Sequence, residues 1–298
     1  MTQEKFRELL AEEVSSRLGA ETEISYTKIR KNNGAMWDAM LIRKGDCRVA
    51  TTIYPDACYA KYRKGIPVRE LAEGILGEYA RMLETVEAQK GFFRNYEEVR
   101  ARIYLRLVSA GRNAEQLQKM PFRRWYDLAL VCYYRMPTEY MERGTIQIQN
   151  MHLENWGVTA EQLLGDALQN TTRDLHPEIR NLQEVLFSLG AAEMEGLGPV
   201  KYMKELPLYV LSGEEQYLGA VCIALPGMAG KISEKLKGDF VMIPSSIHEC
   251  LLLPDNGMRH ADELNAMIRE VNLTQLMPED VLSDHIYHYH CASGRFDI

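Results

Sequence analysis

The sequence predicts an α+β fold of mainly antiparallel sheets with packed helices. Three observations carry that expectation. Short alternating runs recur with hairpin punctuation between them, helical periods of 3.6 residues are interspersed with these hairpins, and no doubly wound strand-helix-strand order is sustained. At 298 residues and 34.2 kDa, one large domain or two modest ones are allowed. A hydrophobic content of 46% and a charged content of 26% belong to an ordinary globular protein and exclude disordered, collagenous and coiled-coil classes.

The chain opens on an amphipathic helix, since Phe6, Leu9, Leu10, Val14 and Leu18 fall at helical spacing and Gly19 offers a left-handed stop. Three alternating stretches follow, about 22 to 31, 35 to 43 and 47 to 54, punctuated by Asn32-Asn33-Gly34 and Lys44-Gly45-Asp46. This reads as a three-stranded meander. Pro67 then opens a long helix carrying Val68, Leu71, Ile75, Leu76, Tyr79, Met82, Leu83 and Val86, which completes a helix-meander-helix unit.

From Asn95 the pattern shortens. Asn95 to Glu98 and Asn113 to Gln116 have capping-box spacing, and a strand over 102 to 108 fits the alternation between them. Residues 123 to 136 read as one longer strand and 144 to 149 as a shorter one. Thr159 and Gln162 cap a helix over about 160 to 170, and the stretch 190 to 206 reads as a loop or linker. The last hundred residues read β-β-α-β-β-α-β, with strands at about 208 to 212, 217 to 224, 239 to 244, 248 to 253 and 284 to 290.

Charge divides the chain. Residues 1 to 150 carry 25 Lys and Arg against 20 Asp and Glu, whereas residues 151 to 298 carry 10 against 22. The expected division is a basic α+β half, 1 to 157, and an acidic α+β half, 158 to 298, which meet within one chain or between two copies. The six cysteines contain no C-x-x-C pair, and the charged N-terminus has no apolar signal stretch. No run of about 18 apolar residues occurs, so a cytoplasmic protein without a membrane partner is expected.

The segment Asp239 to Glu249, with Arg269-Glu270-Val271-Asn272 and Val281-Leu282-Ser283-Asp284-His285, resembles the bacterial family labelled domain of unknown function 5688, found in clostridial-type bacteria. Lys31-Asn32-Asn33-Gly34, the Tyr59 to Gly65 segment and Asn155-Trp156-Gly157-Val158-Thr159 extend the resemblance over most of the chain. It implies no particular activity. A looser resemblance to another uncharacterised bacterial family rests on the shared helix-meander-helix start.

The leading functional expectation is a non-enzymatic binding or regulatory protein. One alternative is a hydrolase drawing on Ser245, Ser246, His248 and Asp284, which supply the residue types of a nucleophile, a base and an orienting carboxylate. There is no G-x-S-x-G elbow, and Ser-Ser after Pro244 is also what a turn uses to cap its own backbone. A second alternative is a single-stranded nucleic acid or other polyanion binder. Residues 94 to 124 hold eight Lys and Arg against three Glu, and strands at 102 to 108 and 123 to 136 would combine Arg102, Tyr104, Arg106, Arg123 and Trp125 as an anion-binding face. Arginine stems lying over aromatic rings, with their heads paired to acids, explain the same pattern structurally.

No metal site or cofactor is expected. His285, His288 and His290 form H-x-x-H-x-H, but a strand places only the last two on one face. Gly227-Met228-Ala229-Gly230-Lys231 lacks the phosphate-loop spacing and reads as a strand-to-helix turn.

Overall fold

A computed structural model describes residues 1–19, 21–45, 50–88, 93–138, 144–183, 207–255 and 261–298. The described residues carry three antiparallel sheets with helices between them, the α+β class that the hairpin spacing predicts. The chain divides into two compact units, Met1–Asn95 with Met136–Gly144, and Tyr96–Arg135 with Thr145–Ile298. The expected boundary near residue 157 thus falls inside the second unit, which holds both the basic segment after Tyr96 and the acidic remainder.

In the first unit, α1 (Gln3–Ser15) is capped by the Thr2 hydroxyl, which accepts from the Lys5 amide at 3.3 Å. It ends at Ser16, and Gly19 is not left-handed, so the expected glycine stop is not what closes it. Strands β1 (Thr22–Arg30), β2 (Met36–Lys44) and β3 (Thr51–Ile53) form the meander in the order β1-β2-β3. Its first turn uses Asn33 and Gly34 at φ 58° and 73°, the left-handed pair that hairpin twist requires. The second turn and the start of the third expected strand lie partly outside the described residues. An unforeseen helix, α2 (Pro55–Arg63), precedes α3 (Val68–Ala88). Met40 and Ile42 of β2, Ile53 of β3, Phe6, Leu10 and Val14 of α1 and Leu71, Ala72, Ile75 and Tyr79 of α3 make one core. Burying each large member contributes about 1.5–3 kcal/mol.

The second unit begins with the short α4 (Tyr96–Val99) and the strand β4 (Ile103–Ser109), then the one-turn helix α5 (Ala114–Leu117). Asn113 does not cap α5 through its side chain, because its Nδ2 donates instead to the Ser109 carbonyl at 2.8 Å. The expected single strand over 123 to 136 is a hairpin of β5 (Phe122–Trp125) and β6 (Leu128–Arg135), turning at Tyr126 with φ 53°. Strand β7 (Thr145–Gln147) completes a four-stranded sheet, followed by α6 (Asn150–Trp156) and α7 (Ala160–Asp174). Helix α7 closes the free edge of β4: Asn170 Nδ2 donates to the Ile103 carbonyl at 2.9 Å, and the Thr171 hydroxyl accepts from the Leu105 amide at 2.9 Å.

Next come β8 (Pro177–Asn181), which the sequence pattern does not announce, and β9 (Tyr209–Gly213); the expected linker at 190 to 206 lies outside the described residues. The expected strand at 217 to 224 is a 3-10 turn, Gly219–Ala224, with Gly219 to Ile223 buried. Helix α8 (Met228–Leu236), β10 (Phe240–Ile243), β11 (Cys250–Pro254), α9 (Ala261–Thr274), β12 (Tyr287–His290) and β13 (Arg295–Asp297) follow. The six strands are ordered β13-β12-β10-β11-β9-β8. Leu264 and Ile268 of α9 pack on Val241, Ile243 and Leu253 of this sheet. No helix among the described residues is long and apolar enough to cross a membrane.

Candidate functional site

The structure does not assemble a triad from Ser245, Ser246, His248 and Asp284. The Ser246 hydroxyl is buried and accepts from the His248 backbone amide at 3.0 Å, a serine turn closing on itself. His248 Nδ1 accepts from the Leu218 amide at 3.1 Å, which puts the ring proton on Nε2, 3.5 Å from Asp280 Oδ1. Neither nitrogen is left to take a hydroxyl proton. Asp284 is bound elsewhere, by Asn272 Nδ2 at 2.9 Å and by Arg112 Nη2 at 2.6 Å, so it does not orient His248. Ser245 donates its backbone amide to the Ile243 carbonyl at 2.9 Å within the same turn.

The expected anion-binding face is also divided. In the β4–β6 register, Tyr104 lies opposite Tyr133 and Arg106 opposite Val131, so these four share one face. In the β5–β6 register, Arg123 lies opposite Leu130 and Trp125 opposite Leu128, which places both on the other face, with Leu105 and Leu107. The turn at Tyr126 inverts the alternation that a continuous strand would have kept. Trp125 packs its ring on Tyr126, Tyr287 and Phe296 and is not an open stacking platform. Arg102 Nε donates to the Arg135 carbonyl at 3.0 Å.

What remains on the Tyr104 face is a cluster of two arginines and three tyrosines. Tyr104 donates its hydroxyl to Asp174 Oδ2 at 2.8 Å, and Arg135 Nη2 bonds Glu215 Oε1 at 2.6 Å. The Arg106 guanidinium donates through Nη2 to Gln147 Oε1, while its Nε is buried and without a partner among the described residues. Burial pushes the Arg106 pKa below the ordinary arginine value, and the groups near enough to act on its charge are the phenols of Tyr217 and Tyr133. Burial likewise pushes the Tyr133 hydroxyl up, with Arg135, Tyr217, Arg106 and Tyr104 around it.

Tyr217 reaches this cluster from a loop in unusual backbone conformations. Gln216 and Leu218 on either side have φ of 52° and 53°, a region that costs a non-glycine residue about 1–3 kcal/mol. The Tyr217 ring stacks on His248 at 5.3 Å, and the Leu218 amide is the one that His248 accepts. Gly219 is packed so closely that a Cβ there would stand 2.4 Å from the Gly213 amide nitrogen and 2.8 Å from the His248 carbonyl oxygen. The pattern 123 to 136 contains Tyr133 but gives no sign of its partner Tyr217, because the apolar run from 217 onward reads as a strand.

A separate shallow cleft of about 390 Å³ is lined by Ser109, Arg112, Arg124, Asp127, Asp284 and His285. His285 Nδ1 faces the Ile286 carbonyl and Nε2 faces Asp127 Oδ2, each at 2.9 Å, so both ring nitrogens meet acceptors. The Asp127 hydrogen bond raises the His285 pKa above the ordinary histidine value against the effect of burial. Burial works to raise the Asp127 carboxyl, but hydrogen bonds from His285 and Tyr287 outweigh it and hold the group below the usual range.

His288 and His290 do share a strand face, with ring centroids 4.4 Å apart, and each faces a carboxylate: Asp255 Oδ2 lies 2.6 Å from His288, and Asp297 Oδ2 lies 3.0 Å from His290. Among the described residues, no group of three or more His, Cys, Asp or Glu side chains is placed to hold a metal ion. Cys58, Cys132, Cys222, Cys250 and Cys291 are free thiols.

Fold and site together define an α+β protein of antiparallel sheets whose second unit sets a half-buried arginine beside a strained aromatic loop. A family model described as "Family of unknown function (DUF5688)" matches residues 3–291, and the chain belongs to that family. No curated protein and no solved structure matches it.

Proposed function

We propose that this is a non-enzymatic binding protein of the bacterial cytoplasm that takes a small ligand at the Arg106, Tyr133 and Tyr217 cluster. The observation that carries this reading is the Tyr217 loop, where two non-glycine residues in left-handed conformation hold one aromatic ring against His248. Strain of that kind persists where the surrounding structure enforces it, and it concentrates at ligand clamps. Tyr104, Arg106, Arg135, Tyr217 and His248 all keep part of their surface in solvent, so a ligand can reach them. The commitment of His248 to Leu218 and Asp280 favours binding over hydrolysis.

The charge division has a matching internal reading. Arg112–Asp284 and Arg135–Glu215 join the basic segment to the acidic remainder inside the second unit, which supports self-complementarity over an open polyanion surface. The five free thiols fit a reducing compartment.

The test is native mass spectrometry of the intact protein after mild purification, beside the Tyr217→Ala variant. A small molecule released from the wild type on denaturation, with occupancy reduced at least tenfold in a variant of unchanged circular dichroism, is the expected result. No bound molecule in the wild type, or equal retention by Tyr217→Ala, removes the reading.

A further inference from the structure

Among the described residues, no carboxylate pairs with the Arg106 guanidinium, whose hydrogen bond goes to the neutral Gln147. An arginine keeps its charge in a protein, and a cation drawn partly out of water, as the half-buried Arg106 is, gains from an anion placed against it. The two carboxylates that the described residues bring to Tyr104 and Arg135 are engaged: Asp174 receives Tyr104 and Arg173, and Glu215 receives Arg135. The side-chain partner that Arg106 has is the neutral Gln147, whose own amide nitrogen donates to the Cys132 carbonyl at 2.8 Å and the Ile148 carbonyl at 3.2 Å. Those two bonds fix the Gln147 oxygen toward Arg106 and hold the guanidinium in place. Its Nε, by contrast, makes no bond among the described residues.

We infer that the ligand group recognised at this cluster is an oxyanion, a phosphoryl or carboxylate group, gripped by the Arg106 fork with the Tyr133 and Tyr217 phenols beside it. The inference rests on the proposed ligand-binding role of the Tyr217 loop and names the chemistry of what it holds. A guanidinium presents parallel N–H donors that match two oxygens of such a group, and it needs no water to mediate the contact. Phenol hydroxyls donate to the same acceptors. Burial lowers the Arg106 pKa, the direction expected of a cation drawn partly out of water with no carboxylate beside it among the described residues. The lower exposure of Arg106 than of a surface arginine also makes each hydrogen bond to an incoming anion stronger than it would be in water.

The experiment is thermal unfolding of the full chain in sodium chloride, phosphate, sulfate or acetate at one fixed ionic strength, for the wild type and for Arg106→Met. Constant ionic strength removes general screening, and because phosphate and sulfate also stabilise folded proteins by exclusion from the surface, occupancy is the part of the rise that the Arg106→Met variant lacks. The expected result is a midpoint that rises with oxyanion concentration more steeply in the wild type than in Arg106→Met, while the variant in chloride melts no lower than the wild type. A larger Arg106-dependent rise in phosphate and sulfate assigns a phosphoryl ligand, and a larger Arg106-dependent rise in acetate assigns a carboxylate. A wild type indifferent to all three oxyanions overturns the inference by itself, whatever the variant does. A variant that retains the whole of the wild-type rise overturns it too, as does one that melts far below the wild type in chloride, because Arg106 would then be paired within its own chain. If Tyr217→Ala loses a co-purified neutral molecule and no oxyanion effect appears, the chemical class fails and the binding role stands.

Discussion

Gly219→Ala should be among the most damaging conservative substitutions in the second unit. The added Cβ would lie 2.4 Å from both the Gly213 amide nitrogen and the Ser212 hydroxyl oxygen, and 2.8 Å from the His248 carbonyl oxygen. Two of these three atoms are backbone, held by β9 and by the turn leading into β11, so the strain cannot be relieved by rotating one side chain. Overpacking at a site of this kind costs about 1–3 kcal/mol, and the upper end applies because the backbone itself must move. For a unit of this size, the upper end is a fall in melting midpoint of about 6–12 °C. The comparison is Gly227→Ala, whose Cβ meets nothing within 4 Å although its φ is +74°. Its cost is the left-handed penalty alone, about 1–2 kcal/mol. Calorimetry on the two variants checks the order. If Gly219→Ala melts as high as Gly227→Ala, close packing does not set the path of the Tyr217 loop.

Two further outcomes follow from the same geometry. His285 has its pKa raised by Asp127, so its ion pair stabilises the fold fully below the unfolded histidine value of about 6.5 and loses that contribution as pH rises through the folded value. Replacement by glutamine should therefore cost about 0.5–1 kcal/mol near pH 6, since solvent screens this part-exposed pair, and less at pH 9, read from urea midpoints; a cost constant over that range rejects the pairing. Lys237 ends α8 in the left-handed region at φ 66° and is exposed, so Lys237→Gly should raise stability by about 0.5–1 kcal/mol, and a lowered midpoint counts against it.

Legibility in the sequence followed the strength of the local signal. The helix-meander-helix start was readable because Phe6, Leu10 and Val14 keep a helical period and Asn33-Gly34 supplies the two left-handed residues of its hairpin. The β5–β6 hairpin was not, since its turn uses Tyr126, a residue with no turn preference. Its left-handed backbone is secured from a distance, by the Phe296 amide donating to the Tyr126 hydroxyl at 3.0 Å and by the rings of Tyr287 and Phe296. The run from Tyr217 to Ala224 misled for a related reason. A fully buried segment has no polar face to mark its period, so a 3-10 turn and a core strand read alike. Tertiary contacts, which local propensity cannot report, decided both cases.

That same dependence separates Arg106 from the arginines around it. In sequence, Arg102, Arg106, Arg123 and Arg124 look equivalent, eight residues or fewer from an aromatic ring and all on alternating runs. The hairpin sends Arg123 to the opposite face, Arg102 finds the Arg135 carbonyl, and Arg135 finds Glu215. Arg106, at the middle of β4, is left with a neutral amide and two phenols. A sheet could have used a leucine there at lower cost, as it does at Leu105 and Leu107 on the other face. A half-buried cation with a neutral partner, beside a loop held in strained backbone, is what the proposed oxyanion site would require, and the Arg106→Met comparison decides whether the residue serves a ligand or the fold.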